Sequence, residues 1–103
     1  MSVPQQGEIW WATAEDKRRP VLVVTRSEAV GVLSAIVVAP VTRTVRDIPT
    51  EIALGRDEGL GVDCAASFDN LQRIGRSALT ERSGDIGARR EQICDALRAL
   101  ADC

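Results

Sequence analysis

The feature that most constrains the fold is the order of the secondary-structure patterns along the chain. Five short segments rich in apolar or β-branched residues come first, and one segment with helical periodicity comes last. Strands followed by a single terminal helix are typical of a small, mostly antiparallel β barrel or sandwich with an appended helix. The predicted strands lie at 8–12, 21–25, 33–41, 50–54 and 62–68, with a short continuation at 71–74.

The terminal helix is predicted at roughly 86–101, where Ile86, Ile93, Leu97 and Leu100 fall close to one helical face. With 103 residues, the chain is predicted to form one domain spanning 1–103. The remaining segments are predicted to be a loop at 13–19, a turn or helical bend at 27–32, a polar loop at 42–46, a glycine-rich turn at 55–61 and a helical turn at 76–80.

The composition excludes several kinds of site. The chain has no histidine, which removes His-based acid–base pairs, His triads and His metal ligands. The spacings of Cys64, Cys94 and Cys103 match no zinc or redox motif, so neither a metal nor a cofactor is expected. We interpret Cys64 as a small buried residue. The absence of a basic leader and of a long apolar run predicts a cytoplasmic protein with no membrane segment.

The net charge is −2 and the aromatic content is 3%, which does not suggest a general nucleic-acid binder. Positive charge is nevertheless concentrated at Lys17, Arg18 and Arg19, directly before Pro20 and the apolar second strand. A local field can be positive on a globally acidic protein. The cluster is therefore either a solvated strand end or a site for an anion, for which the guanidinium fork is well suited.

Two further polar groups follow predicted strands. Thr42, Arg43 and Thr44 come after the central strand, where two hydroxyls beside a cation either form a simple turn or bind an oxyanion. The amide side chains of Asn70 and Gln72 can both donate and accept, as recognition of a base edge requires, although asparagine is also a common turn former.

Asn70 and Gln72 are thus candidates for reading a base edge, and Lys17, Arg18, Arg43 and Thr44 are candidates for binding an anion.

Taken in order, these segments resemble the MazF/PemK family of toxin–antitoxin toxins. The resemblance runs from about Gly7 to Leu100, and its order and spacing are more specific than any single motif. It rests on Gly7-Glu8-Ile9-Trp10, Arg19-Pro20-Val21-Leu22-Val23-Val24, Ala39-Pro40-Val41-Thr42, Pro49-Thr50-Glu51-Ile52, Phe68-Asp69-Asn70-Leu71-Gln72 and the closing helix.

The resemblance implies an SH3-like β barrel that works as a homodimer. It also implies metal-independent, sequence-specific cleavage of single-stranded RNA, inhibited by a cognate MazE-like antitoxin. The family's catalytic arginine and threonine fall on Arg19 and Thr42, with Thr44 as an alternative hydroxyl. A cation that the family often uses falls on Gln72, and alternation along the strand should direct the adjacent Arg73 to the other face.

Two other functions remain open for a barrel of this kind. One is a non-enzymatic inhibitor that binds DNA gyrase, as the related CcdB-like toxins do, and the other is a catalytically silent homologue that only binds an antitoxin. The presence of Arg19-Pro20 and Thr42 favours the ribonuclease. In such a site we expect stabilisation of the phosphorane charge to dominate, because neither side chain is a good base near neutral pH.

Overall fold

The computed structural model describes residues 3–14 and 16–101. Within these ranges the chain forms seven strands and two α-helices, joined in places by short 3₁₀ turns. The strands are β1 (Glu8–Ala14), β2 (Lys17–Val23), β3 (Ala35–Thr42), β4 (Glu51–Leu54), β5 (Cys64–Ser67), β6 (Gln72–Gly75) and β7 (Leu79–Asp85), and the helices are α1 (Ser27–Val30) and α2 (Glu91–Leu100).

All strand pairings are antiparallel, and the strands follow the order β4-β5-β3-β2-β1-β7, with β6 also paired to β3. The long strand β3 makes this possible, because its first half pairs with β6 and its last two residues pair with β5. The sheet therefore curls into a half-barrel that α2 closes. The predicted small antiparallel barrel with a C-terminal helix is confirmed.

The sheet is apolar on both faces, because neighbouring residues of a strand point to opposite sides. Ile9 and Leu22 belong to the larger core, which α2 covers with Ile93 and Ala96. Trp10 belongs to a second core on the opposite face, with the following residues packed around it: Ala12, Val21, Val23, Val30, Ile36, Val38 and Leu79. The expectation that the second strand is apolar on both faces is confirmed.

The helix predicted near the C-terminus is confirmed, and Ile93 and Leu97 pack in the core, but Leu100 is exposed and the α-helix is shorter than predicted. It begins at Glu91, and the preceding residues Gly87–Arg90 form a 3₁₀ turn. Gly87 has a φ of 54°, a left-handed conformation that an α-helix does not accommodate. The buried Ile86 still packs in the core, so the apolar spacing extends beyond the helix itself.

The predicted loop at 13–19 is wrong. β1 continues to Ala14, β2 begins at Lys17, and the two strands pair through this stretch. The side chains of Lys17, Arg18 and Arg19 are exposed, so the hairpin carries no apolar alternation by which the sequence could reveal it. Pro20 consequently lies inside β2 rather than at its start, just before the first residue that pairs with β3.

β7 was not predicted, because the segment Leu79–Asp85 contains a single large apolar residue. It is an edge strand held by its backbone ladder to β1 and by the ion pair between Arg82 and Glu8. Exposed edge strands often carry charged side chains, which conceal the strand pattern. The predicted helical turn at 76–80 is confirmed for Arg76–Ala78 only. No helix in the described part of the chain is long and apolar enough to span a membrane.

Glu8 gives the fold a pH dependence. Burial alone would raise the pKa of this carboxyl, but hydrogen bonds donated by Trp10 Nε1 at 3.0 Å and Arg82 Nε at 2.8 Å outweigh it and lower the pKa. The unfolded-state pKa of glutamate is about 4.3. The contribution of the Glu8 carboxylate to the free energy of unfolding is therefore complete above that pH. It is lost as the pH falls through the lower pKa that Glu8 has in the folded state.

We expect Glu8→Ala to lower the free energy of unfolding at pH 7 by about 1–3 kcal/mol, as for other hydrogen bonds to a charged group. The difference from the wild type should shrink as the pH falls below about 4. Urea unfolding between pH 3 and 7 measures this, with the exposed Glu28→Ala as a control of the same chemistry. A wild-type/Glu8→Ala difference that stays constant across this range would contradict the account.

Candidate active site

A cleft of about 710 Å³ opens where β1, β2 and the end of β3 meet the chain that follows β4. One wall carries strand residues with charged or hydroxyl side chains, and the other is formed by a turn that contains glycines. The cleft is lined by Trp11, Arg18, Arg19, Pro20, Pro40, Val41, Thr42, Arg43, Gly59, Leu60, Gly61, Val62, Cys64, Ser67, Asn70 and Gln72.

The ladder between β2 and β3 ends close to both Arg19 and Thr42. The paired residues are Val21 with Pro40, Leu22 with Ala39 and Val23 with Val38. Arg19 lies two residues before Val21, and Thr42 lies two residues after Pro40, where β3 pairs with β5 instead. Both side chains line the cleft, so residues far apart in the sequence contribute to one site.

Consecutive arginines on β2 lie on opposite faces of the strand. Arg18 lines the larger cleft, whereas Arg19 also lines a neighbouring cavity of about 330 Å³, together with Lys17 and Gln72. The two cavities therefore adjoin at Arg19 and Gln72.

The cleft is positively charged on an acidic protein. Arg18, Arg19 and Arg43 line it, and its lining in the described part of the chain includes no carboxylate. Arg18 is paired with Glu81, Nη2 to Oε2, at 2.5 Å. Within residues 3–14 and 16–101 no ion pair involves Arg19 or Arg43, which leaves their guanidinium groups free to bind an anion.

The two threonines at the end of β3 differ in position. The backbone N–H of Thr44 donates a hydrogen bond to Thr42 Oγ1 at 3.1 Å. This contact positions the Thr42 hydroxyl oxygen and leaves its own O–H available as a donor. Thr42 lines the cleft, whereas Thr44 is exposed and lines neither cavity.

Comparison with known proteins identifies the family. Residues 5–102 match the family described as PemK-like, MazF-like toxin of type II toxin-antitoxin system. The chain belongs to this family. The resemblance found in the sequence is thereby confirmed.

Individual relatives of the toxin agree with this assignment. It is 36% identical over 101 residues to the probable endoribonuclease MazF2 of Mycobacterium tuberculosis, covering 96% of this chain and 99% of that one. The solved M. tuberculosis toxin MazF-mt6 superposes with a TM-score of 0.84 at 34% identity, over 92% of this chain and 96% of that one. An endoribonuclease solved in complex with its cognate antitoxin, from a mycobacterial species, shares the fold at 23% identity, with a TM-score of 0.82 over 96% and 95% of the two chains.

The remaining candidate residues of the toxin divide between the two cavities. Arg43, Asn70 and Gln72 line the larger cleft, and Lys17 lines only the smaller one. Asn70 Nδ2 donates to Ser67 Oγ at 2.9 Å, which fixes the orientation of the amide. Arg73 lines neither cavity, in agreement with the expectation that it points away from Gln72.

Sequence reasoning missed one whole wall of the cleft. Gly59–Gly61 was predicted only as part of a turn and Val62 as the start of the fifth strand, and glycines in turns are too common to indicate a site. Cys64 is buried as expected, yet it also lines the cleft. Burial raises the pKa of its thiol, with a smaller contribution from the nearby Glu58 and Asp63 charges, so it remains protonated and is a poor nucleophile near neutral pH. Cys103 lies outside the described residues.

Proposed function

We propose that this toxin is a metal-independent endoribonuclease that cleaves single-stranded RNA at a short sequence. The observation that carries the proposal is a cleft lined by three arginines and, among the described residues, by no carboxylate, on a chain of net charge −2. A phosphodiester backbone is the natural ligand of such a site. Relatives at 36% identity are named as probable endoribonucleases, which supports the same activity.

The reaction is an in-line attack of a ribose 2′-oxygen on the adjacent phosphorus. The new O2′–P bond forms as the P–O5′ bond breaks, which leaves a 2′,3′-cyclic phosphate and a 5′-hydroxyl. The proton lost by the 2′-hydroxyl is balanced by the one that the 5′-oxygen gains. Arg19 and the Thr42 hydroxyl donate hydrogen bonds to the phosphorane oxygens, where negative charge accumulates.

The side chains at the cleft supply charge more than acid–base chemistry. Arginine remains protonated in proteins, and a threonine hydroxyl hardly ionises near neutral pH. Water takes up the proton of the 2′-hydroxyl and supplies the one that the leaving 5′-oxygen gains, while Arg19 stays protonated and stabilises the negative charge on the phosphorane oxygens. Because a matched general base would add about 10²–10⁴-fold, the site should be slower than a ribonuclease with two histidines.

Asn70 and Gln72, which line the cleft, are the residues that recognise bases. With Nδ2 of Asn70 engaged by Ser67, its Oδ1 remains an acceptor for an exocyclic amine of a base. Gln72 lies between the two cavities and can donate and accept. Reading bases by their edges requires unpaired, splayed nucleotides, which favours single-stranded RNA over duplex.

The proposal includes two protein partners and a compartment. The toxin works as a homodimer in the cytoplasm, and a MazE-like antitoxin inhibits it. The family description as a toxin of a type II system supports an antitoxin partner, as does a solved endoribonuclease of the same fold in complex with its cognate antitoxin.

The test is cleavage of a long mixed-sequence RNA by the purified toxin, freed of antitoxin, in excess EDTA. We expect cuts at one short motif in single-stranded regions, with cyclic-phosphate ends. No cleavage by the folded protein would overturn the proposal. Inhibition of DNA supercoiling by gyrase would then indicate the gyrase-binding alternative, and binding of antitoxin alone would indicate a silent homologue.

The two threonines provide a further prediction. Thr42→Val removes the hydroxyl with little change in volume, and we expect the cleavage rate to fall by about 10²-fold or more, as for loss of an oxyanion donor. Thr44→Val keeps the backbone N–H that contacts Thr42 and should retain nearly full activity. Single-turnover rates on one RNA oligonucleotide make the comparison. A larger loss in Thr44→Val than in Thr42→Val would reverse the assignment.

A further inference from the structure

Three neighbouring strands assemble a charged group on an aromatic ring beside the cleft. Trp11 on β1 pairs directly with Glu81 on β7 and with Pro20 on β2. Arg18 lies two residues before Pro20 and therefore on the same face of β2. Its Cζ is 4.5 Å from the centroid of the Trp11 ring, and its Nη2 is 2.5 Å from Glu81 Oε2.

The arrangement differs from that of the other arginines in the cleft. Arg19 and Arg43 make no ion pair within residues 3–14 and 16–101, whereas the charge of Arg18 is already balanced by Glu81. A guanidinium engaged with a carboxylate is a weaker ligand for phosphate. Its planar faces remain apolar in character, and the Arg18 side chain is 50% exposed although one side lies against the indole.

We propose that Arg18 is a stacking platform for one RNA base, with Trp11 supporting it from beneath and Glu81 fixing it at the edge. The inference rests on the proposed ribonuclease function and adds a specificity-determining role to it. Unstacked RNA bases pack on arginine planes as well as on aromatic rings. Arg18 and Arg19 project from opposite faces of β2 but both line the larger cleft, so we assign the base on Arg18 to the same RNA strand as the phosphate bound at Arg19.

A different use of the same residues makes the opposite prediction. If Arg18 had to leave Trp11 so that a base could stack on the indole, the ion pair with Glu81 would oppose that movement. Glu81→Gln would then bind RNA more tightly. On a platform, Glu81→Gln loosens the guanidinium and weakens binding. The ion pair is exposed and contributes little to stability, so the variant should fold normally.

The experiment measures binding of an RNA that spans the cleavage motif, made uncleavable by one 2′-deoxy nucleotide at the cut. A second set of the same RNA carries an abasic nucleotide at each position in turn. For the wild type we expect one position near the cut to cost about tenfold in affinity through lost stacking. Arg18→Lys keeps the charge but not the planar group, so it should bind intact RNA about tenfold more weakly than the wild type does. An abasic nucleotide at that position should then weaken its binding no further.

The control is Arg98→Lys, since Arg98 forms a comparable exposed pair with Asp95 on α2, away from the cleft. It should keep the wild-type profile, and both lysine variants should keep the wild-type salt dependence of binding because neither removes a positive charge. If Arg18→Lys lost as much affinity as the wild type from an abasic nucleotide at each position, including the one near the cut, the stacking role of Arg18 would be wrong. Tighter binding by Glu81→Gln would also overturn it. RNA that fails to bind the wild type would overturn the proposed function itself.

Discussion

Replacing Arg19 with alanine should lower the RNA cleavage rate by at least about 10²–10³-fold, the usual loss when one oxyanion donor is removed. The guanidinium lines the same cleft as Thr42, and Arg19 makes no ion pair among the described residues. Because the side chain is exposed, its loss should leave the fold and the free energy of unfolding nearly unchanged. Single-turnover cleavage in EDTA measures the effect.

Arg19→Lys separates charge from geometry. It keeps one positive charge but loses the planar fork that holds two phosphate oxygens at once. We expect a rate between those of the wild type and Arg19→Ala, with RNA binding less affected than cleavage. If Arg19→Ala cleaved RNA as fast as the wild type while folding normally, the assignment of Arg19 to the transition state would be wrong.

Gly84→Ala should strongly destabilise the structure that supports the cleft. A Cβ at this position would lie 2.3 Å from the backbone oxygen of Glu58, so one of the two chain segments would have to move. The contact is reciprocal, since a Cβ at Gly59 would lie 2.3 Å from the Ser83 oxygen and Gly59 has a φ of 83°. We expect a loss of about 3 kcal/mol, near the upper end for overpacking, because the obstructing atoms are backbone.

This contact also bears on activity, because it secures the turn at one wall of the cleft. Ser83 Oγ donates to Gly59 O at 3.1 Å, and Gly59 leads directly into the residues that line the cleft. We therefore expect slower RNA cleavage by Gly84→Ala even at temperatures where it remains folded. Urea unfolding and cleavage rates measure the two effects.

Gly31→Ala is the matched control for this prediction. Gly31 has a φ of −71°, and a Cβ there would meet no atom within 4 Å. The substitution should be neutral or should stabilise by about 0.4–1 kcal/mol through the unfolded chain. Equal unfolding free energies for Gly84→Ala and Gly31→Ala would show that the close approach of β7 and the turn does not constrain the fold.

Much of the fold could be predicted from apolar patterning, and the strand segments that this patterning missed were missed for a common reason. β3 and α2 are recognisable because their apolar residues are buried at regular spacing. The end of the first hairpin and the edge strand β7 present charged or polar side chains to solvent, so only backbone pairing defines them. Local pattern does not report pairing between distant segments.

The same limit applies to the candidate site. Arg19 and Thr42 were identified through the family resemblance, and the pairing of β2 with β3 supplies the physical reason that both line one cleft. The assembly of Trp11, Arg18 and Glu81 could not be predicted, because it requires β7 to lie beside β1. Residues on an unrecognised strand have no partners in a sequence-based analysis.

The most direct test of the central claim uses one mapped RNA target in two forms, both in excess EDTA. One form is entirely ribonucleotide, and the other has a single 2′-deoxy nucleotide at the cut. The 2′-hydroxyl mechanism predicts a 2′,3′-cyclic phosphate and a 5′-hydroxyl from the first form, and intact but bound RNA from the second. Cleavage of the deoxy form, or ends that carry a 3′-hydroxyl and a 5′-phosphate, would contradict the mechanism assigned to Arg19 and Thr42.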